Sequence, residues 1–184
     1  MKNVLLILPF LLTTCLCFAQ EETEHQEQLS ENELKINMFE ILVMPAVGIT
    51  YERFITNNSS WGAYGFVNFN SDEIYRSEKF ELAPFYRIYF QKKKAVNNKG
   101  FYTEIFTGIN LGETQFYDDG FDYYTPGDLV SQEYLGISLG MTLGYKFVNH
   151  SKHSIELFAG AGRFLNDQYI SAYPRIGVSI GKRF

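Results

Sequence analysis

From Leu135 to Phe147 the chain alternates strictly: Leu135, Ile137, Leu139, Met141, Leu143, Tyr145 and Phe147 are large and apolar, while Gly136, Ser138, Gly140, Thr142, Gly144 and Lys146 lie between them. The same period of two runs through 154–164, where Ile155, Leu157, Ala159 and Ala161 alternate with Glu156, Phe158, Gly160 and Gly162. It returns in the last segment, with Ile176, Val178 and Ile180 against Arg175, Gly177, Ser179 and Gly181. In 100–112, Phe101, Ile105, Ile109 and Leu111 share a face opposite Tyr102, Glu104, Phe106, Gly108 and Asn110. A 3.6-residue period would scatter these sets around a helix, so β-structure is the regular form that sorts them. That many glycines inside helices would also be costly.

Eight such segments follow one another, roughly 34–44, 46–54, 61–70, 79–90, 100–112, 133–147, 154–164 and 173–184. Turn-like clusters separate them: "ITNNSS", "SDEIYRSE", "QKKKAVNNK", the long "ETQFYDDGFDYYTPGDLVSQ" at 113–132, "VNHSKH" and "LNDQYIS". The pattern predicts an all-β chain, and the break at Met44 and Pro45 is its weakest boundary. No internal repeat with a period of roughly 20 to 50 residues is present, which excludes solenoids and propellers.

Eight alternating strands fit a soluble sandwich, a soluble ligand-binding barrel or a transmembrane barrel. The face opposite the apolar one separates them. A soluble fold shows water a face rich in Lys, Glu and Asp, whereas here that face is mostly Gly, Ser and Thr with isolated ionisable residues. Such a face suits the narrow lumen of an eight-stranded barrel, which holds only side chains. Length agrees: Leu135 to Phe147 at about 3.3 Å per residue and a tilt of about 40° rises about 30 Å, enough for the ~25 Å apolar band of an outer-membrane barrel. An even strand count puts both chain ends on one side, the periplasmic one in this architecture. The long 113–132 connection then falls outside. The expectation is an eight-stranded antiparallel up-and-down transmembrane β-barrel.

Composition sharpens the compartment. The chain has 184 residues, enough for one domain, and 17% of them are aromatic. Thirteen Tyr and seventeen Phe against one Trp favour β-structure or a membrane interface. "MKNVLLILPFLLTTCLCFAQ" carries one Lys, an apolar run and a small-residue site, so 1–19 is expected to be a secretory signal peptide. Both cysteines, Cys15 and Cys17, leave with it, which removes disulfides and thiolate metal sites. "LTTC" offers Cys15 as an acylation site, with a bulky Thr14 before it that argues against this. The Glu- and Gln-rich 20–32 cannot bury enough apolar surface to offset its ordering entropy and is expected to be a flexible periplasmic leader, with the barrel at 33–184. No run approaches the ~18 apolar residues of a spanning helix. A net charge of −5 without a basic stripe argues against nucleic acid.

The ending "YPRIGVSIGKRF", with Ile176, Val178, Ile180 and Phe184 on one face, resembles the C-terminal signature of bacterial outer-membrane β-barrels. That resemblance implies recognition by the barrel assembly machinery during insertion. Lys182 stands where an apolar or aromatic residue is usual, and a Lys near a rim can snorkel to water. "ELKINMFEILVMPAVGITYERFI" resembles the first hairpin of small, uncharacterised outer-membrane barrels of the Bacteroidota-type lineage. The resemblance implies an OmpA-like, porin-like location in lipid and no particular activity.

Candidate chemistry is sparse. His150 and His153 beside Ser151 and Ser154 raise a His/Ser hydrolase or a metal pair, against the plainer reading of a polar turn. Small outer-membrane lipid A deacylases use His and Ser facing the outer leaflet, whereas strand parity puts this turn in the periplasm. Asp118, Asp119, Asp122 and Asp128 could hold Ca²⁺, but their spacing does not fit an EF-hand and solvated loop acids are the simpler reading. Phe116, Tyr117, Phe121, Tyr123 and Tyr124 in the same loop could contact an extracellular protein or glycan, or form an aromatic girdle. Glu52, Glu81, Arg87, Glu104, Lys146, Glu156, Arg175 and Arg183 are assigned to the lumen as a mutually neutralising set of ion pairs. Lys92, Lys93, Lys94 and Lys99 form a basic turn, read as solvated, with peptidoglycan or anionic lipid as the contacts its charge allows. The expected role is therefore non-enzymatic: a monomeric barrel in outer-membrane lipid, without a cofactor, displaying the 113–132 loop. A lipid A-modifying enzyme and a soluble periplasmic lipid-binding barrel are the alternatives.

Overall fold

Every strand of the chain pairs with the next in antiparallel fashion, and the last closes on the first. The structure, a computed structural model, describes residues 31–69, 78–90, 98–117, 129–166 and 172–184. The expected signal peptide, with Cys15 and Cys17, and nearly all of the expected leader lie outside these residues. The strands are β1 (Asn32–Asn37), β2 (Ala46–Thr56), β3 (Ser59–Asn68), β4 (Glu78–Tyr89), β5 (Gly100–Tyr117), β6 (Leu129–Val148), β7 (His153–Phe164) and β8 (Ala172–Arg183). Pairs from Glu33↔Arg183 to Asn37↔Ser179 join β8 to β1, so the fold is an all-β, eight-stranded, up-and-down closed barrel.

The alternation read along the chain becomes a sorting of inside from outside. Registers bring Trp61, Tyr86, Ile105, Met141, Ala161 and Pro174 side by side in one row across six strands, all on the outer wall. Leu139 and Met141 are 47% and 55% exposed, and large apolar residues are exposed on each of the eight strands. The interior holds the opposite set, including Glu33, Lys35, Glu52, Arg87, Glu104, Lys146 and Glu156, each nearly inaccessible.

Interior glycines face interior rings. Gly144 lies opposite Tyr102 and Gly140 opposite Phe106 on β5; Gly62 lies opposite Phe85, and Gly162 opposite Tyr173. In each case a Cβ on the glycine would run into the partner's ring. The missing side chain is therefore the space into which the neighbouring ring lies down, which is how a narrow barrel accepts Phe and Tyr inside.

Two segments depart from the sequence reading. The expected strand over 34–44 stops at Asn37 and gives way to a short helix, α1 (Met38–Val43). The Asn37 side chain caps it, its Oδ1 accepting from the Phe39 N–H at 3.2 Å. A continuous strand would put Glu40 on the same outer face as Leu34 and Ile36. Helical rotation instead carries Glu40 inward, where the Tyr64 hydroxyl donates to it. Because β1 is short, residues 172–178 of β8 and 46–48 of β2 run past its end, and α1 packs against both strands there.

The second departure is the expected 113–132 loop. Its flanks are strand: β5 and β6 pair from Gly100↔Lys146 as far as Tyr117↔Leu129. Among the described residues, pairing with β4 reaches Gly112 and pairing with β7 reaches Ser138, while β5 and β6 go on pairing with each other. Over 113–117 and 129–132 the apolar alternation that marks wall strands stops, and the composition reads as a turn. Phe116 and Tyr117 therefore sit in strand positions, paired with Val130 and Leu129. Asn166 finishes the exposed edge of β6: its Oδ1 accepts from the Ile137 N–H at 2.7 Å and its Nδ2 donates to the Leu135 carbonyl at 2.8 Å.

The glycine and ring pairing is testable at Gly136, whose missing side chain is occupied by the Phe164 ring. Gly136→Leu is expected to cost about 1–3 kcal/mol by overpacking. Combined with Phe164→Ala, its loss should fall short of the sum of the single losses by about 0.5–3 kcal/mol in denaturant unfolding. Strict additivity would reject the packing account.

Candidate functional site

Inward positions on seven strands converge on one charged cluster near the end of the barrel where β1 begins and β8 ends. From β1 come Glu33 and Lys35, from β2 Glu52, from β4 Arg87, from β5 Glu104, from β6 Lys146, from β7 Glu156 and from β8 Arg183. Lys35 Nζ lies 2.7 Å from Glu52 Oε2 and 2.9 Å from Glu156 Oε2. Lys146 Nζ lies 2.6 Å from Glu52 Oε2 and 3.3 Å from Glu33 Oε2. The Arg87 guanidinium spans three acids, at 3.1 Å to Glu52, 2.5 Å to Glu104 and 2.9 Å to Glu156. Its planar face lies 3.8 Å from the centre of the Tyr102 ring.

Hydroxyls complete the cluster. Ser60 Oγ and Tyr89 Oη each donate to Glu52 Oε1 at 2.5 Å, Ser154 Oγ donates to Glu33 Oε1 at 2.6 Å, and Tyr102 Oη donates to Glu156 Oε1. Both oxygens of Glu33, Glu52 and Glu156 are thus occupied by donors of the protein itself. Arg183 closes this end: Nε donates to Glu33 at 2.8 Å, and Nη2 crosses the mouth to the Asn98 carbonyl at 2.7 Å. Asn98 presents that carbonyl from a turn with φ 43°.

Above the cluster the interior turns aromatic, with Tyr64, Phe66, Phe85, Phe106, Phe164 and Tyr173 packed together. Arg175 is held between the Tyr64 and Phe106 rings at 4.2 and 4.3 Å, and its Nη1 is 3.7 Å from Glu104 Oε1. Tyr173 Oη donates to Glu81 Oε1 at 3.0 Å and shares a hydrogen bond with Ser138.

All eight residues assigned to the lumen, Glu52, Glu81, Arg87, Glu104, Lys146, Glu156, Arg175 and Arg183, lie buried in this interior. The sequence reading missed Glu33, Lys35 and Glu40. The signal for the first two was present: Leu34 and Ile36 fix the outward phase of β1, which turns Glu33, Lys35 and Asn37 inward. Tyr89 and Tyr102 follow in the same way, each two residues from an assigned charge.

Glu33, Glu52 and Glu156 bring three carboxylate oxygens within 4.8 Å of one another, a spacing that could hold a metal ion. The ammonium groups of Lys35 and Lys146 already bond these acids from within, so a bound metal would have to displace two buried cations. His153 and Ser154 point to opposite sides of β7, and the Ser154 hydroxyl is spent on Glu33. Those two therefore form no nucleophile and base pair. His150 is exposed in the 149–152 turn. Asp118, Asp119, Asp122, Asp128, Phe121, Tyr123 and Tyr124 lie outside the described residues, as do Lys92, Lys93 and Lys94. Ile176, Val178, Ile180 and Phe184 line the outer face of β8 and its end.

The family described as "Protein of unknown function (DUF3575)" matches residues 7–181, and the chain belongs to that family. No curated protein and no solved structure matches the chain.

The cluster behaves as a unit if its charges hold one another. Glu52→Ala takes from Lys35, Arg87 and Lys146 a carboxylate they share in a dry interior and is expected to cost about 3–5 kcal/mol. Ser60→Ala removes one neutral donor from the same carboxylate and should cost about 1 kcal/mol. Thermal unfolding of the two variants in detergent micelles tests this order, and equal losses would refute it.

Proposed function

We propose that this chain is a monomeric outer-membrane β-barrel without enzymatic activity, which sits in lipid by its outer wall and displays the β5–β6 hairpin from the end opposite the chain termini. One observation carries the reading: charge is gathered inside and large apolar side chains cover the outside on each strand. In water this arrangement would expose apolar patches far beyond the few hundred Å² usual for a soluble monomer. In hydrocarbon it is the stable one, because a closed barrel satisfies its ladder internally and turns only apolar side chains to the lipid.

Dimensions and trim support the same reading. Twelve-residue strands such as β4 and β7 rise about 30 Å at about 3.3 Å per residue and a tilt of about 40°, which covers a ~25 Å apolar band. Toward the end with the termini the exposed wall residues become aromatic, with Tyr51, Trp61, Tyr86, Phe101, Tyr145 and Phe147, as at a membrane interface. A lipid A-modifying enzyme would need an acid, base or nucleophile open to substrate. Glu33, Glu52, Glu104 and Glu156 are bound up with cations, and His153 and Ser154 face apart, so the display role is the better supported one.

The outer wall decides the matter. Met141→Arg should cost about 2–4 kcal/mol if that wall faces hydrocarbon near mid-depth. In water the same exposed substitution would change stability by no more than about 0.5 kcal/mol. Urea unfolding of the full chain in lipid vesicles, read by heat-modifiable gel migration, distinguishes the two. Recovery of the native protein in the soluble periplasmic fraction would refute the proposal.

A further inference from the structure

On the outer wall, β7 carries an apolar run bracketed by two basic residues. Ile155, Leu157, Ala159 and Ala161 point outward between His153 at one end of the strand and the exposed Arg163 at the other. At about 3.3 Å per residue and a tilt of about 40°, His153 and Arg163 are separated by about 25 Å in height, the depth of the apolar band of a spanning barrel. Arg163 therefore stands at the edge of that band, on the side to which the β5–β6 hairpin extends. Its register neighbours, Leu139 on β6 and Ala172 on β8, carry no charge, and neither do Met141, Ala161 and Pro174 in the next outward row.

Below Arg163 the wall is hollowed. Ala161 lies in register between Met141 and Pro174, and Ala159 between Leu143 and Ile176, so short side chains on β7 run between bulkier ones on β6 and β8. At Ala159 this course enters an apolar groove of 530 Å³, whose lining includes Leu143, Leu157, Ile176, Val178 and, from α1, Phe39. From Arg163 to Leu157 the strand runs about 20 Å and descends about 15 Å. That is half of the ~30 Å hydrocarbon core, the reach of an acyl chain within one leaflet. A lone guanidinium at the top of such a groove is matched by a phosphate, which it can bond through two parallel N–H groups. From this geometry we infer that the β6–β8 face holds one anionic phospholipid of the leaflet on the hairpin side, its phosphate on Arg163 and one acyl chain laid over Ala161 and Ala159 into the groove. The inference rests on the membrane reading above.

The full chain, folded in detergent micelles as judged by heat-modifiable gel migration, is titrated with phosphatidylglycerol or with phosphatidylcholine, and the lipid bound per barrel is counted by native mass spectrometry. One phosphatidylglycerol is expected to bind, about fivefold more tightly than phosphatidylcholine. Arg163→Gln should remove that preference. Ala159→Phe fills the groove with another apolar residue and should weaken the binding of both lipids, whereas Ala63→Phe, the same exchange on the outer face of β3, should weaken neither. Equal affinity of the unaltered chain for the two lipids, or a preference that survives Arg163→Gln, overturns the lipid site. The membrane reading then stands if the unaltered chain still inserts into phosphatidylcholine vesicles. Failure to insert into those vesicles overturns both.

Discussion

A strand has two faces, and closing eight strands into a barrel leaves one of them nothing to touch but other side chains. That constraint governs the rest of this structure. Once Leu, Ile and Met are committed to the outer face, each intervening residue must find its partner within a narrow cylinder. A charge there has no water to fall back on, so it survives only beside an opposite charge or a hydroxyl. Glu52 shows how far this goes: three cations from β1, β4 and β6 and two hydroxyls from β3 and β4 meet on one carboxylate.

Such a network is not an economical way to stabilise a protein, since a well-packed apolar interior of equal volume often does better. Its value here lies in selection between registers. Its members come from seven strands, so the cluster forms only when all the neighbouring pairings are in place. A slip of one residue between β5 and β6 would turn Glu104 and Lys146 outward and send Leu and Ile into the charged centre. The alternatives are thereby penalised far more than the native pairing is favoured.

Period two was readable in the sequence wherever a strand belongs to the wall, because there one face is forced to be apolar. That made the strand count, the closed barrel and the burial of Arg87, Lys146 and Glu156 legible from alternation alone. The reading lost its grip where that force is absent. At 113–117 and 129–132 the β5–β6 ladder goes on without the apolar alternation, so Phe116 and Tyr117 passed for loop residues. At 38–43 an apolar run imitated a strand, and only the misplaced phase of Glu40 could have revealed the helix. The metal-like spacing of Glu33, Glu52 and Glu156 was not legible, because it depends on three strands meeting across the lumen. Strand phase gives direction; it does not give distance across the barrel.

The wall and the β5–β6 hairpin are mechanically one object. β5 and β6 share the longest ladder in the molecule, and their lower halves carry the Tyr102 and Gly144 pair, the Phe106 and Gly140 pair, and the charges of Glu104 and Lys146. Those contacts fix which residues of the hairpin face each other long before it leaves the wall. The pairing from Glu113↔Glu133 to Tyr117↔Leu129 therefore continues the register set by those contacts. Any change at the glycine and ring pairs is transmitted along both strands. The same logic explains why the charged cluster sits away from the far end of the β5–β6 ladder: the wall is secured where the start of β1 meets the end of β8, and the hairpin extends from a base that is already held.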